Sequence, residues 1–167
     1  MMRNFFFTTA LILLFASSAV GVEEIVPAER LKQRISAAKA SIRTIDSTTL
    51  SSWLEDENKS VIILDVREPG EVSAGKIEAD EYLAIPRGLL EMQFIKKIKA
   101  LDTPVVVYCL KGSRGALAAQ ALTDLGYTNI HNLQGGLLQW IATGNPVSNF
   151  FGEFELQNFE SNFSQGS

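Results

Sequence analysis

The chain has 167 residues, 46% of them hydrophobic, which is enough for one sizeable core in a single domain. Its net charge is −4, from 15 basic and 19 acidic residues with no basic stripe, and this argues against a nucleic-acid partner. One cysteine and one histidine are too few for a structural zinc site, and no repeat or long low-complexity tract points to a solenoid or a flexible linker.

Residues 1–21 read as a secretory signal peptide. Met1-Met2-Arg3 supplies a positive start, Phe5 to Ala16 an apolar stretch, and Ser17-Ser18-Ala19-Val20-Gly21 small residues at cleavage spacing. Cleavage after Gly21, with Ala19 at minus three, is preferred over cleavage after Ala19. The competing reading is an uncleaved anchor, since Asn4 to Val22 carries no charge and roughly 20 apolar residues can span a bilayer. Serines and glycine weaken its far end, and no nearby cysteine offers a lipid attachment site. The expected mature protein is exported, most simply to a periplasm, with no stable membrane anchor.

Residues 22–43 form an expected helical extension. Glu29-Arg30-Leu31-Lys32-Gln33-Arg34-Ile35 has Leu31 and Ile35 four apart, an amphipathic pattern that would pack across the domain. Arg43 to Ile45 reads as a short strand, and Ser47 as the cap of a helix carrying Leu50, Trp53 and Leu54. Val61 to Val66 reads as a fully buried strand, Leu83 to Ile85 as another, and Leu89 to Leu101 as a helix. Val105 to Cys109, apolar, β-branched and too short for a helix, reads as a central strand. Gly115 to Leu125 is a helix stopped by Gly126, Asn129 to Leu133 a strand, and Leu137 to Ala142 a helix before Gly144. Strands alternating with helices define an α/β fold, a central parallel sheet flanked by helices on both faces.

The tail, residues 148–167, carries Phe150, Phe151, Phe154, Phe159 and Phe163 among Glu153, Glu155 and Glu160, with no basic residue. Its acidity argues against an anionic membrane surface. Packing of these rings against the chain's own domain is preferred over a twin subunit or a partner.

Cys109 is the residue most suggestive of chemistry. It ends a predicted central strand and precedes a predicted helix, beyond the carboxyl end of the sheet, where ligands of such sheets bind. An exported protein usually holds its cysteines in pairs, and this one has no partner within the chain. An inert buried thiol, an intermolecular bridge and a reactive thiol remain. The following loop favours the reactive one. Gly112 permits a tight turn, so the N–H groups of Leu110, Lys111, Gly112, Ser113, Arg114 and Gly115 can face inward as an anion cradle with a helix dipole behind them. Lys111 and Arg114 add positive charge, which favours an anionic sulfur. The segment lacks the glycine spacing and Gly-Lys-Ser/Thr ending of a nucleotide-binding loop.

Several separate motifs occur in one order. Val61-Ile62-Ile63-Leu64-Asp65-Val66-Arg67-Glu68 is followed by Gly75-Lys76-Ile77, Ala84-Ile85-Pro86, and the Cys109 to Arg114 loop. Asn132-Leu133-Gln134-Gly135-Gly136 with Trp140, Gly144, Pro146 and Val147 closes the set. Over residues 44–147 this resembles a single-domain rhodanese, a thiosulfate sulfurtransferase. The resemblance implies that the Cys109 thiolate takes the outer sulfur of a donor such as thiosulfate, forms a persulfide, and passes the sulfur to cyanide or a thiol. No cofactor or metal is implied. Lys111 matches a family position that helps bind thiosulfate, and Arg114 is placed to bind the sulfonate or steady the loop. Asp65 and Arg67 match positions near the site, where a structural role ranks above a catalytic one.

The same fold also carries Cys-x5-Arg loops for phosphatases and arsenate reductases, and a non-enzymatic persulfide carrier is a third possibility. Here Arg114 follows Cys109 after four residues and Tyr108 stands where such phosphatases place histidine, so sulfur transfer is preferred. Three departures bear on the donor. Lys76 replaces a common histidine, Glu78-Ala79-Asp80-Glu81-Tyr82-Leu83 is longer and more acidic than usual, and Glu71 stands where some two-domain members carry a thiosulfate-binding arginine. His131, in a predicted strand, reads as packed rather than catalytic.

Overall fold

The computed structural model describes residues 26–157 and residue 159. Five strands, β1 (Arg43–Ile45), β2 (Ile62–Asp65), β3 (Tyr82–Ala84), β4 (Val105–Tyr108) and β5 (Ile130–Leu133), form one sheet in the order β1-β5-β4-β2-β3. Every pairing is parallel. All residues of β2 and β4 are buried, which is why both read as apolar runs without alternation.

Helices α1 (Pro27–Ser41), α2 (Ser47–Glu55), α3 (Pro69–Ala74), α4 (Leu90–Lys97), α5 (Ser113–Asp124) and α6 (Gly136–Ala142) complete the α/β architecture. One face of the sheet buries Val105, Val107 and Cys109 with Phe94 of α4 and Leu122 of α5. The other buries Val106 and Tyr108 with Leu50 of α2 and Trp140 of α6. Helix α1 lies against α5 and buries Ala38. From β2 the chain leaves toward β3, and from β4 it leaves toward β5, on opposite sides of the sheet. Cys109 therefore follows the strand end where the topology switches direction, the usual crevice of an open parallel sheet.

Several local expectations are corrected. Asp46, not Ser47, caps α2: its carboxylate accepts a hydrogen bond from the Thr49 amide at 2.7 Å, and Ser47 becomes the buried first helical residue. The helix expected over Leu89 to Leu101 begins with a 3-10 turn at Arg87–Leu89 and stops at Lys97. Beyond it, the Tyr127 hydroxyl donates to the Ile98 carbonyl and the Thr128 amide to the Leu101 carbonyl, both at 2.7 Å, so tertiary bonds replace further helical ones. Strand β3 starts one residue earlier than expected, and α5 starts two residues earlier, drawing Ser113 and Arg114 into its first turn. Helix α3 was not expected. A capping box between Glu68 and Glu71 and Pro69 at its first position start it.

The tail divides. Strands β6 (Val147–Asn149) and β7 (Gly152–Phe154) make an antiparallel hairpin, joined to the domain by reciprocal backbone bonds between Lys76 and Ser148 at 2.9 Å. Phe154 and Phe159 pack on the core as expected. Phe150 and Phe151 do not: at the hairpin tip they are 95% and 91% exposed, edge to face with each other. The signal segment and Phe163 lie outside the described residues. His131 is packed, its ring edge-on to Trp53 at 5.3 Å.

Candidate functional site

Cys109 is the first residue beyond β4 and only 2% exposed. Its Sγ accepts a hydrogen bond from the Gly112 amide at 3.1 Å. Two carbonyls explain how the loop presents its donors. The Cys109 carbonyl accepts from the Leu137 amide at 2.8 Å and the Leu110 carbonyl from the Leu138 amide at 3.1 Å, so the start of α6 captures both. Because a trans peptide points its N–H opposite to its C=O, the amides of Leu110 and Lys111 turn away from α6. The otherwise unpaired amides at the α6 terminus thus set the loop's polarity.

Glycines make this approach possible. Gly135 and Gly136 have φ of 71° and 62°, a consecutive left-handed pair that side chains resist. A Cβ on Gly136 would sit 2.3 Å from the Cys109 carbonyl oxygen and 2.8 Å from the Gly112 nitrogen. Gly112 is left-handed as well, at φ 88°, as its expected role in a tight turn requires. Gly115 lets α5 settle onto β5, since a Cβ there would meet Asn132 Oδ1 at 2.4 Å. That Asn132 oxygen is buried without a hydrogen-bond partner.

The charged residues divide into two linked pairs. Arg114 donates from both terminal nitrogens to the two carboxylate oxygens of Glu71, at 2.7 and 2.6 Å. This hydrogen bonding holds the Glu71 carboxyl down at about 2 and pushes the Arg114 guanidinium further up, with the Cys109 sulfur adding to the latter. Arg114 thus steadies the loop while standing close to the sulfur. The second pair is buried: Arg67 reaches Asp65 at 2.6 Å, with the two side chains 2% and 0% exposed. Arg67 also donates to the carbonyls of Glu71, within α3, at 3.1 Å and of Gly75, its C-cap, at 2.8 Å, tying the helix to the core. The Tyr82 hydroxyl donates to Asp65 at 3.1 Å, and burial, with the Asp65 charge adding, pushes the Tyr82 and Tyr108 hydroxyls up. Asp65 and Arg67 are thus joined by a buried ion pair, and the Arg67 amide donates to Asp65 as well. They hold α3, α3 holds Glu71, and Glu71 holds Arg114.

Lys111 is exposed, Leu110 half-buried, and Ser113 and Gly115 lie in the first turn of α5. The six residues Leu110 to Gly115 thus make up the loop after Cys109 and the first turn of α5, and Gly112 is the one whose amide bonds the sulfur. Sequence reasoning missed Glu71 as the partner of Arg114, 43 residues away. It quoted Gly136 only as part of a motif, although paired glycines at a helix start were a visible sign of close backbone approach. Beside the loop lies an apolar cleft of about 270 Å³ that reaches Leu110, Glu71 and Arg67. A larger cleft of about 510 Å³, lined by Trp53, Glu57 and Glu81, lies before the amino-terminal ends of β2 and β3, away from the sulfur.

A cysteine loop of this form, at the switch point of a five-stranded parallel sheet, defines a class of domain that handles sulfur or oxyanions. The chain belongs to the rhodanese-like domain family, whose model matches residues 46–143, more than half of its length. It is 34% identical over 106 residues to a sulfurtransferase from Allochromatium vinosum, covering 64% of this chain and 94% of that protein. Among solved structures, the polysulfide-sulfur transferase homodimer of Wolinella succinogenes is similar at 26% identity, with a TM-score of 0.62 over 81% of this chain and 94% of that one. A possible tyrosine phosphatase from Rhodopseudomonas palustris is similar at 27% identity, with a TM-score of 0.62 over 71% of this chain and 93% of that one. Sulfurtransferases are thus among its relatives in sequence and in fold.

Proposed function

We propose that the protein is a rhodanese-type sulfurtransferase that carries sulfane sulfur as a persulfide on Cys109. The observation that carries this reading is the Sγ of a lone, buried cysteine 3.1 Å from an inward amide of a loop whose first two carbonyls are turned out. In the first step the Cys109 thiolate attacks the outer sulfur of thiosulfate, the S–S bond breaks, and sulfite leaves with the bonding pair. In the second step cyanide or a thiolate attacks the terminal persulfide sulfur, and the Cys109 thiolate is released. Loop amides stabilise the anion in both states, a preorganised field of the oxyanion-hole kind.

Leu110, Lys111, Gly112, Ser113, Arg114 and Gly115 frame the donor site, with Lys111 supplying charge at the mouth and Arg114 bound chiefly to Glu71. Among the described residues Cys109 is the only cysteine, so the sulfur must leave to another molecule, small or protein. The signal-like segment Met1 to Gly21 supports export to a periplasm. Phosphatase or arsenate-reductase chemistry ranks lower, because the arginine that would grip a tetrahedral oxyanion is already bidentate with Glu71.

Incubation of purified protein with thiosulfate should add about 32 Da at Cys109, one sulfur, removed by cyanide; an addition near ~80 Da would mark phosphoryl chemistry instead. Thiocyanate formation should vanish in Cys109→Ser. A rate equal to wild type in that variant would end the proposal.

A further inference from the structure

The cleft of about 510 Å³ opens before the amino-terminal ends of β2 and β3. Cys109 stands beyond the opposite end of the sheet, a strand length of about 15 Å away. Three separate stretches supply the cleft's acid. Glu57 lies just after α2, Asp80 belongs to the segment Glu78 to Leu83 that is longer and more acidic than the family pattern, and Glu153 comes from β7, beyond the residues matched by the family model. Glu78 and Glu81 also line it, but Glu78 is taken by Lys76 and Ser148, and Glu81 accepts from the Ser60 hydroxyl at 2.7 Å. Among the described residues, Glu57, Asp80 and Glu153 have no ion-pair partner. The floor is different in kind: Trp53, Leu54, Val61 and Ala79 are apolar and buried or partly buried. An ammonium group already occupies the cleft. Lys59 holds its Nζ 3.9 Å from the centre of the Trp53 ring and pairs with none of the carboxylates, so the aromatic wall takes a cation while the acid is left for another.

We propose that this cleft binds a linear aliphatic polyamine, an organic cation whose ammonium groups are separated by runs of methylenes. Such a molecule lays its methylenes on the apolar floor and carries its charges to the acidic rim, as the stem and head of a lysine side chain do. The volume is ordinary for a small-molecule site, on the order of 300–1,000 Å³. A metal ion fits less well. It needs about six oxygens converging on one point, and among the described residues no three acidic side chains are grouped closely enough to hold one. Carboxylates spread over three stretches match charges spread along a chain. A basic polypeptide shares those charges but brings amides and carbonyls that need partners, which an apolar floor does not supply. The site is independent of the chemistry at Cys109 and leaves the cysteine loop uncovered.

The probe is spermidine, titrated calorimetrically into the purified protein at low salt, with Mg²⁺ and N-acetyl-trilysine amide, which carries the same three ammonium groups, as comparators. Spermidine should bind at one site, about tenfold more tightly than Mg²⁺, and should move the indole N–H signal of Trp53 in NMR spectra while that of Trp140 stays in place. Asp80→Asn and Glu153→Gln should each weaken binding about fivefold, as expected for removing one exposed charge, and together about 25-fold. Both side chains are exposed, so these variants should keep the fold. Asp124→Asn on α5 removes an equal charge elsewhere and should change affinity less than about twofold. Absence of binding, an affinity unmoved in the double variant, or an equal loss in Asp124→Asn overturns the site. Binding of Mg²⁺ as tight as that of spermidine reduces it to a counterion effect, and tighter binding of the trilysine overturns the choice of a free amine. Cys109→Ser should bind spermidine as wild type does, so failure here and failure of the sulfurtransferase reading are distinguishable.

Discussion

Gly136→Ala tests how the loop is held. The residue has φ of +62°, and a β-carbon there would stand 2.3 Å from the Cys109 carbonyl oxygen and 2.8 Å from the Gly112 nitrogen. Both neighbours are backbone, so neither can rotate aside. The left-handed conformation alone costs an alanine about 1–2 kcal/mol. Relieving the overlap means separating α6 from the loop, which costs about 1–3 kcal/mol for overpacking and weakens the bonds from Leu137 and Leu138. A total near ~3 kcal/mol lowers Tm by about 6–12 °C for a domain of this size. The same displacement moves the Gly112 amide from the sulfur, and a shift of about 1 Å in a reacting group costs roughly a hundredfold in rate. Gly144→Ala is the matched control: φ is +82° there, yet nothing lies within 4 Å of a β-carbon. Thermal melts and thiocyanate formation should show strain alone in the control, and strain with a crippled site in Gly136→Ala. Equal behaviour of the two variants would mean that capture of the carbonyls by α6 does not shape the site.

Arg67→Met leaves Asp65 charged and buried and frees two carbonyls of α3, so urea unfolding should show a loss of about 3–5 kcal/mol; a loss below ~1 kcal/mol contradicts the structural role. The Glu71 carboxyl is lowered from 4.5 to about 2, mainly by the Arg114 hydrogen bond. Its contribution to stability is therefore complete above about pH 4.5 and is lost as pH falls through about 2. Wild type should exceed Glu71→Gln in urea midpoint at neutral pH and converge with it in acid; a constant gap would refute the linkage. Asp46→Ala should cost about 1 kcal/mol as a lost helix cap, and Ser47→Ala should cost less because its hydroxyl has no partner; the reverse order would restore Ser47 as the cap.

The sheet was legible because Val61 to Val66 and Val105 to Cys109 are too short for helices and too uniformly apolar for a half-exposed surface. Burial on both faces follows from that pattern, and with it the place of Cys109. What escaped reading depends on contacts distant in sequence. The stretch 98–101 keeps a helical composition, but its end residues Ile98 and Leu101 give their carbonyls to Tyr127 and Thr128. Helix α3 is too short to show a period, and its capping box joins Glu68, the last residue of a quoted motif, to Glu71 beyond it. Arg114 was visible as a cation near the sulfur, whereas its capture by Glu71 depends on how α3 is seated, which Arg67 decides from within the core. The phenylalanines of the tail carry no sign of which ring turns inward until the register of the hairpin is known.

The dependence of the cysteine loop on α6 also sets when that loop can take its final form during synthesis. A nascent chain that has reached Gly115 already contains Cys109 and every loop residue, but nothing yet receives the carbonyls of Cys109 and Leu110. Only when Leu137 and Leu138 have emerged and folded does the thiol gain its oriented amides. The cysteine loop is thus among the last features of the domain to be finished, so products truncated before α6 carry the cysteine without its oriented amides.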